Sequence, residues 1–330
     1  MAAAGARGDV ELHPTGPTAA ATFESAAISA RTVAAECLPL GLALVMHLYP
    51  LCALRWVPLP WWSLVGMRRA RLLRAIERHA LLLANAGSER AAGMQSPVKL
   101  TRSRQGLIVN GHFDYVSLAN VADLVFFTGT LDDANVLCIA DLRAESVRIG
   151  ESRFEGRMRL SDTCEVWFRD HLLSAGRYVV VQGESALGCM TRYQRSWFQL
   201  LVGESYLARI DHLRRVRLPP RCTEELAQRN ELAQLRDYAL RLLDEATTPG
   251  AIDALSRLTT TMKLRISWLA QSTAAALRGV DDVAANELLH LKRQPTADDR
   301  IIRELSGQPF VVHQRQILAG ARAYAPKVAT

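Results

Sequence analysis

Gly106-Leu-Ile-Val-Asn-Gly111, Asp114-Tyr-Val-Ser117 and Ala122-Asp-Leu-Val125 are the residues on which the fold turns. Val98 to Asn110 reads as two strands around Arg104-Gln105-Gly106. Ala122 to Thr130, Asn135 to Leu142, Val147 to Gly150 and Thr163 to Asp170 follow as short runs rich in β-branched and aromatic residues. Turn residues such as Asp132-Asp133 and Gly176 separate them. Short strands at that spacing predict a compact antiparallel sheet or barrel.

On both sides of this block the period is helical. Phe23 to His79 shows no strand signal, and Leu72, Leu73, Ile76 and Ala80 form one stripe with Arg69, Arg71, Arg74 and Arg78 elsewhere. Cys37 to Leu54 resembles a membrane span, but Pro39, His47 and Pro50 interrupt it, and Pro58 and Pro60 follow. It reads as a buried helix ending near Tyr49, with no membrane span. After about residue 190, Trp197, Leu200, Leu201, Leu207, Ile210 and Leu213 line one face of a long helix that Pro219-Pro220 ends. A second helix follows Thr223 as N-cap, with Glu224 and Glu225 in its first turn. A third has Thr248 as N-cap and Pro249 at its first position and runs to Gly279; a fourth spans Asp281 to Arg293. The expected layout is α+β: a loose tail over 1–22, a reduced N-terminal helical domain over 23–96, a β domain over 97–188 and a C-terminal helical bundle over 189–330.

With 49% apolar side chains over 330 residues the chain can bury a substantial core and is not disordered. Only Lys99, Lys263, Lys292 and Lys327 are lysines, so the net charge of +7 is carried by guanidinium groups. These suit phosphates, although codon bias produces the same composition. No basic run with interleaved aromatics is present, which argues against a nucleic-acid partner. No histidine pair has metal-ligand spacing, and the six cysteines are too scattered for a zinc knuckle or a redox pair. They read as reduced. Met1 to Pro14 lacks the charged and apolar regions of a secretory signal, so the expected location is cytoplasmic.

In order and spacing, these pieces resemble the acyl-CoA dehydrogenase family over residues 25 to 305, together with Gly156-Arg-Met-Arg-Leu-Ser161-Asp-Thr163-Cys-Glu-Val166-Trp-Phe168 and Ser174-Ala-Gly-Arg-Tyr-Val-Val. The resemblance implies N-terminal helices, a central antiparallel β domain and a C-terminal four-helix bundle. It also implies FAD. The family's Leu-Thr-Glu-Pro-x-x-Gly-Ser-Asp turn looks like Leu83-Ala84-Asn85-Ala86-Gly87-Ser88-Glu89, where Gly87 and Ser88 match. Gly87 permits close backbone approach and Ser88 offers a hydroxyl to a phosphate, though the same residues also suit an ordinary connector. The family's Trp-Ile-Ser/Thr flavin contact resembles Tyr115-Val116-Ser117. An aromatic and a hydroxyl two residues apart on a strand share one face and can meet one flat heterocycle.

The chain departs from the family elsewhere. Arg217-Leu218-Pro219-Pro220 and Ala275-Ala-Leu-Arg-Gly279 stand where members bind the neighbouring subunit's FAD, and little of either motif remains. Ser196 stands where some members carry the glutamate base, and the alternative position falls in Pro295 to Arg300, with Asp298 or Asp299 nearest. Thr296-Ala-Asp-Asp299 also reads as a capping box with Gly307 as the stop. Glu204 reads as a solvated position, an ion pair with Arg209 or a pocket residue. The implied function is α,β-dehydrogenation of an acyl-CoA or acyl-carrier-protein thioester by a flavoprotein subunit. The implied assembly is a homo- or hetero-oligomer with an acyl-CoA-dehydrogenase-like chain. The alternative is a catalytically silent member that serves as an assembly or binding subunit of a heteromeric complex.

Overall fold

The computed structural model describes residues 18–57, 64–86, 97–132, 134–181, 184–218 and 223–289. Three helices come first: α1 (Ala19–Glu36), α2 (Leu38–Trp56) and α3 (Leu64–His79). Thr18 caps α1 by accepting from the Ala21 N–H at 3.2 Å. Only Cys37 separates α1 from α2, and the two lie so close that a Cβ on Gly41 would stand 2.4 Å from Ala34 Cβ. α2 continues past Tyr49, through Pro50, to Trp56. Proline removes one helical hydrogen bond, but burial of Tyr49, Pro50, Cys52 and Ala53 holds the last turns against their neighbours. Among the described residues α2 is the one helix long and apolar enough to cross a membrane, and Leu38, Leu42, Val45 and Ala53 on it are buried in the core.

α3 stops at Ala80, which is left-handed at φ 48° and exposed rather than part of the buried stripe. The Leu81 N–H closes the helix end on the Ile76 carbonyl at 3.0 Å. The strands are β1 (Leu83–Ala86), β2 (Val98–Ser103), β3 (Gly106–Val116), β4 (Leu124–Leu131), β5 (Ala134–Asp141), β6 (Val147–Ser152), β7 (Cys164–Leu173) and β8 (Tyr178–Val180). A 3-10 helix (Gly156–Ser161) sits between β6 and β7. The order is β6-β7-β3-β2-β4-β5-β8, with β1 also paired to β4. β1 and β2 run parallel to β4, whereas the remaining pairs are antiparallel. The sheet is therefore mixed and open, which corrects the expectation of an antiparallel sheet or barrel. β1 escapes a periodicity reading because Leu83-Ala-Asn-Ala86 is short and poor in β-branched residues; it forms because Leu83, Ala84 and Ala86 are buried beside β4. β3 begins at Gly106, where φ is 148° and any Cβ would lie 2.0 Å from the Leu173 carbonyl oxygen. Val109, Phe113, Val116, Val125, Phe127, Val166 and Phe168 fill the sheet's inner face.

α4 (Glu184–Arg217), α5 (Thr223–Glu245), α6 (Pro249–Leu277) and α7 (Asp282–Leu289) follow. Thr248 caps α6, accepting from the Ala251 N–H at 3.3 Å. Thr223 is itself the first residue of α5 rather than the cap before it. Trp197, Leu200, Leu201, Ile210 and Leu213 of α4 are buried, as their spacing predicts. They join Phe23, Leu38, Leu258 and Leu288 in one core shared by α1, α2 and α4 to α7. Residues 290–330, with the expected end of the fourth bundle helix and the Thr296 to Asp299 box, lie outside the described residues.

Candidate functional site

The end of β3 pairs with the start of β7, Val116 opposite Cys164, and the 3-10 helix and β1 both pack against α2. Val116 points into the sheet core and is fully buried. On either side of it, Tyr115 is 44% exposed and Ser117 is half-buried. A register shift between Phe113 and Val116 bends the strand end here. The Tyr115 ring lies 6.1 Å from the Phe154 ring, and the Arg153 guanidinium stands 5.9 Å from its centroid. Arg153 is anchored by Asp114 at 2.8 Å and by Glu165.

Ser117 turns to a different set of partners. Its Oγ is 2.8 Å from Thr163 Oγ1, which is 2.9 Å from Ser161 Oγ, which donates to the Met158 carbonyl at 2.8 Å. The following loop is pinned to the same place. Leu118 (φ 63°) and Asp162 (φ 50°) are both left-handed. The Ala119 N–H donates to the Asp162 carbonyl at 3.1 Å, and Asn120 donates to the two Asp162 carboxylate oxygens at 2.7 and 2.6 Å. Arg143 then donates to the Asn120 carbonyl at 2.9 Å. These bonds fix the rim of the site within the protein itself. Burial, then the Asp162 charge, push the adjacent Cys164 thiol up, so it is no thiolate nucleophile. Burial pushes Cys52 and Cys138 up to about 12, and Cys37, Cys52, Cys138, Cys164 and Cys189 are all free thiols.

The α2 side of the seam is polar where it meets β1. His47 Nδ1 accepts from the Leu83 N–H at 3.0 Å, and the Asn85 amide donates to the Tyr49 hydroxyl. Tyr49 also packs edge-on against Phe198 of α4, with centroids 5.2 Å apart. Burial raises the Tyr49 phenol, so it remains an O–H group. Gly87 and Ser88 come directly after β1 and, like Asp299, lie outside the described residues. Neither Asn85 and Tyr49 nor Thr163 and Ser161 stand out by composition. Only the two hydroxyls of Ser161-Asp-Thr163, within the stretch that carries the family resemblance, offered a signal.

His47 supplies a pH prediction. Burial lowers its pKa below the ordinary 6.5, against the opposing effect of its bond to Leu83. Burial likewise lowers His171, which lies 2.8 Å from Ser146 Oγ, with Asp141 raising it and Arg177 lowering it. The unfolded chain therefore takes up protons first, and stability is full above about pH 6.5 and declines as pH falls through that value. In His47→Asn the amide oxygen can still accept from Leu83 but does not titrate. Denaturation midpoints at about pH 8 and about pH 5 should differ less in the variant than in the wild type. An equal difference would remove His47 as a source.

Neither Ser196 nor Glu204 in α4 has the surroundings of a base. Ser196 is fully buried and donates to the Arg192 carbonyl at 2.9 Å, within its own helix. Glu204 is buried, and both its oxygens are held by guanidinium groups, Arg31 at 3.0 Å and Arg236 at 2.6 Å. This corrects the solvated and Arg209-paired readings, since Arg209 turns to Glu287 instead. Among the described residues no group of three or more His, Cys, Asp or Glu is placed to hold a metal ion.

No protein-family model and no curated protein matches the sequence. Solved structures do. FMN-bound TdsC from Paenibacillus sp. A11-2 aligns with TM-score 0.64 at 16% identity over 88% of this chain and 83% of its own. PigA with FAD and proline aligns with TM-score 0.64 at 15% identity over 88% and 82%. KijD3 in complex with FMN and a dTDP-linked amino keto sugar aligns with TM-score 0.62 at 15% identity over 94% and 80%. At this identity the likeness is one of fold alone: among the described residues, seven α-helices and an eight-stranded sheet follow the fold of these structures.

Proposed function

We propose that this chain is a flavin-dependent oxidoreductase, working as a subunit of an oligomer, that dehydrogenates an acyl thioester at its α,β carbons. The observation that carries the reading is the half-exposed Tyr115 ring near the end of β3, with the Ser117 hydroxyl in the turn just beyond it, where the Asn120 and Asp162 bonds fix the chain. These residues fit an isoalloxazine: Tyr115 offers an aromatic plate and Ser117 an unspent acceptor at the polar edge. Gly87 and Ser88 would meet the cofactor's phosphates. A bound flavin supplies the acceptor for two electrons. Similarity in fold to proteins solved with FMN and FAD supports the cofactor class.

The thioester substrate rests on the sequence resemblance, and the proton chemistry narrows where it can occur. Taking a proton from carbon next to a thioester requires a positioned base. Ser196 spends its proton inside its helix and Glu204 is saturated by guanidinium groups, so neither takes that proton, and the resemblance leaves the base to Asp298 or Asp299 or to an unlike partner chain. The buried Ser196 at a base's position also favours a second reading, a silent assembly or binding subunit of a heteromeric complex.

A visible spectrum separates the two. Yellow protein from the full chain, alone or co-expressed with an acyl-CoA-dehydrogenase-like partner, that bleaches anaerobically with acyl-CoA is the expected result. Colourless protein under added FAD and FMN and under co-expression supports the silent subunit and overturns the first reading.

A further inference from the structure

α3 carries five arginines and a single acidic residue over sixteen positions. Its apolar side is committed to the core, where Ile76 is buried and Leu72 packs with it against Leu83, Leu124, Phe126 and Ile139. Two of the arginines turn back on the protein: Arg68 donates to the Tyr178 carbonyl at 3.3 Å and Arg69 to the Val57 carbonyl at 2.7 Å. The acidic residue, Glu77, is paired with Arg55 at 3.4 Å. Arg71, Arg74 and Arg78 remain, all exposed and spaced at i, i+3 and i+7, so they form one outward stripe about 10 Å long. Arg74 uses its Nε for the Ala70 carbonyl of its own helix at 3.2 Å. Among the described residues no carboxylate is paired with any of the three. Like charges at these spacings oppose the helix. Arg78, in the last turn, complements the helix dipole, but Arg71 and Arg74 lie before that turn.

We infer that Arg71, Arg74 and Arg78 are the docking face for an acidic carrier protein, one that presents an acidic helix beside the phosphopantetheine arm bearing the acyl group. This deepens the function proposed above and rests on its thioester reading. The stripe ends near the rim: Leu82, four residues and at most about 14 Å of chain beyond Arg78, donates to the Asp123 carboxylate at 2.8 Å. Asp123 ends the loop that begins at Ser117, so a carrier seated on α3 stands within reach of Tyr115 and Ser117. The outer side of a helix is convex and gives a free coenzyme no wall to bury its adenosine, whereas small ligands are held in concave sites. A row of three guanidinium groups over two turns matches the carboxylates along one face of a facing helix. A lipid surface is the poorer fit, because a helix lying in a bilayer needs a free apolar face and that of α3 is packed on the sheet.

Calorimetric titration of the full chain with an acyl-carrier protein, in its apo and holo forms, and with acyl-CoA tests this. The apo form lacks the arm, so its binding reports the protein face alone. Replacing all three arginines by glutamine keeps good helix formers in place and removes the charge. That variant should weaken both carrier forms by about tenfold or more, the combined effect of three exposed charge pairs, and leave any acyl-CoA affinity within about twofold. The triple lysine variant keeps the charge and should stay within about threefold of the wild type. Wild-type affinity for the carrier should fall with added salt. No carrier binding by the wild type, binding indifferent to salt, an unchanged constant in the glutamine variant, or an equal loss for acyl-CoA overturns the inference. Arginine-dependent binding to vesicles of phosphatidylcholine and phosphatidylserine, without binding to the carrier, overturns it in favour of a membrane surface. Arginine-dependent docking of the carrier on a chain that takes up no flavin would sink the functional reading alone. A yellow chain bleached by acyl-CoA that binds no carrier would sink the docking face alone.

Discussion

Arg209→Met should cost about 3–5 kcal/mol of stability, the loss expected when one partner of a buried ion pair is removed. The Arg209 side chain is 6% exposed and that of Glu287 2%, and the two meet at 3.2 Å. The same guanidinium donates to the Ala35 and Glu36 carbonyls at 2.9 and 3.1 Å, where α1 ends. Carbonyls at a helix C-terminus lack intrahelical partners and carry the negative end of the helix dipole, so a buried cation suits them. One side chain thus ties α4 to α1 and α7. Methionine fills similar volume but leaves the Glu287 carboxylate without its guanidinium. Adding Glu287→Leu should recover most of the loss, because a hydrophobic pair can replace a buried ion pair at little net cost. Urea unfolding of the single and double variants measures both effects. A single-variant loss below about 1 kcal/mol is surface-pair behaviour and would contradict this burial.

Trp197→Ala should cost about 3–5 kcal/mol, the usual range for truncating a buried aromatic. Trp197 is completely buried, with its ring centroid 6.1 Å from Phe23 and 6.4 Å from Tyr193. It joins α1 to α4 at the centre of the helical core. The next residue, Phe198, packs on Tyr49, which accepts from Asn85 of β1. The loss should therefore reach the site: flavin affinity should fall along with the thermal midpoint. A variant that keeps the wild-type midpoint would contradict this packing.

The helices and the strands β2 to β7 were legible because local periodicity reports burial directly, as Trp197, Leu200 and Leu201 illustrate. The extension of α2 through Pro50 was not, since tertiary burial outweighs a local penalty there. β1 and β8 were missed because four and three residues give too short a pattern, and their partners lie far along the chain. At the site, Tyr115 and Ser117 could be read from a motif, but the Thr163 partner of Ser117 is 46 positions away. The partners of Glu204 show the same limit. Arg209 is five residues on, too far round the helix for the usual three- or four-residue pairing. The actual partners, Arg31 and Arg236, are 173 and 32 positions away.

Amide hydrogen exchange of the full chain, with and without saturating flavin, tests most directly whether a flavin ring rests on the rim formed by Tyr115 and Ser117. Slower exchange in residues 115–120 and 161–164 on binding is the expected result. Flavin bound with exchange unchanged in both segments, and protection confined to other parts of the chain, would contradict it.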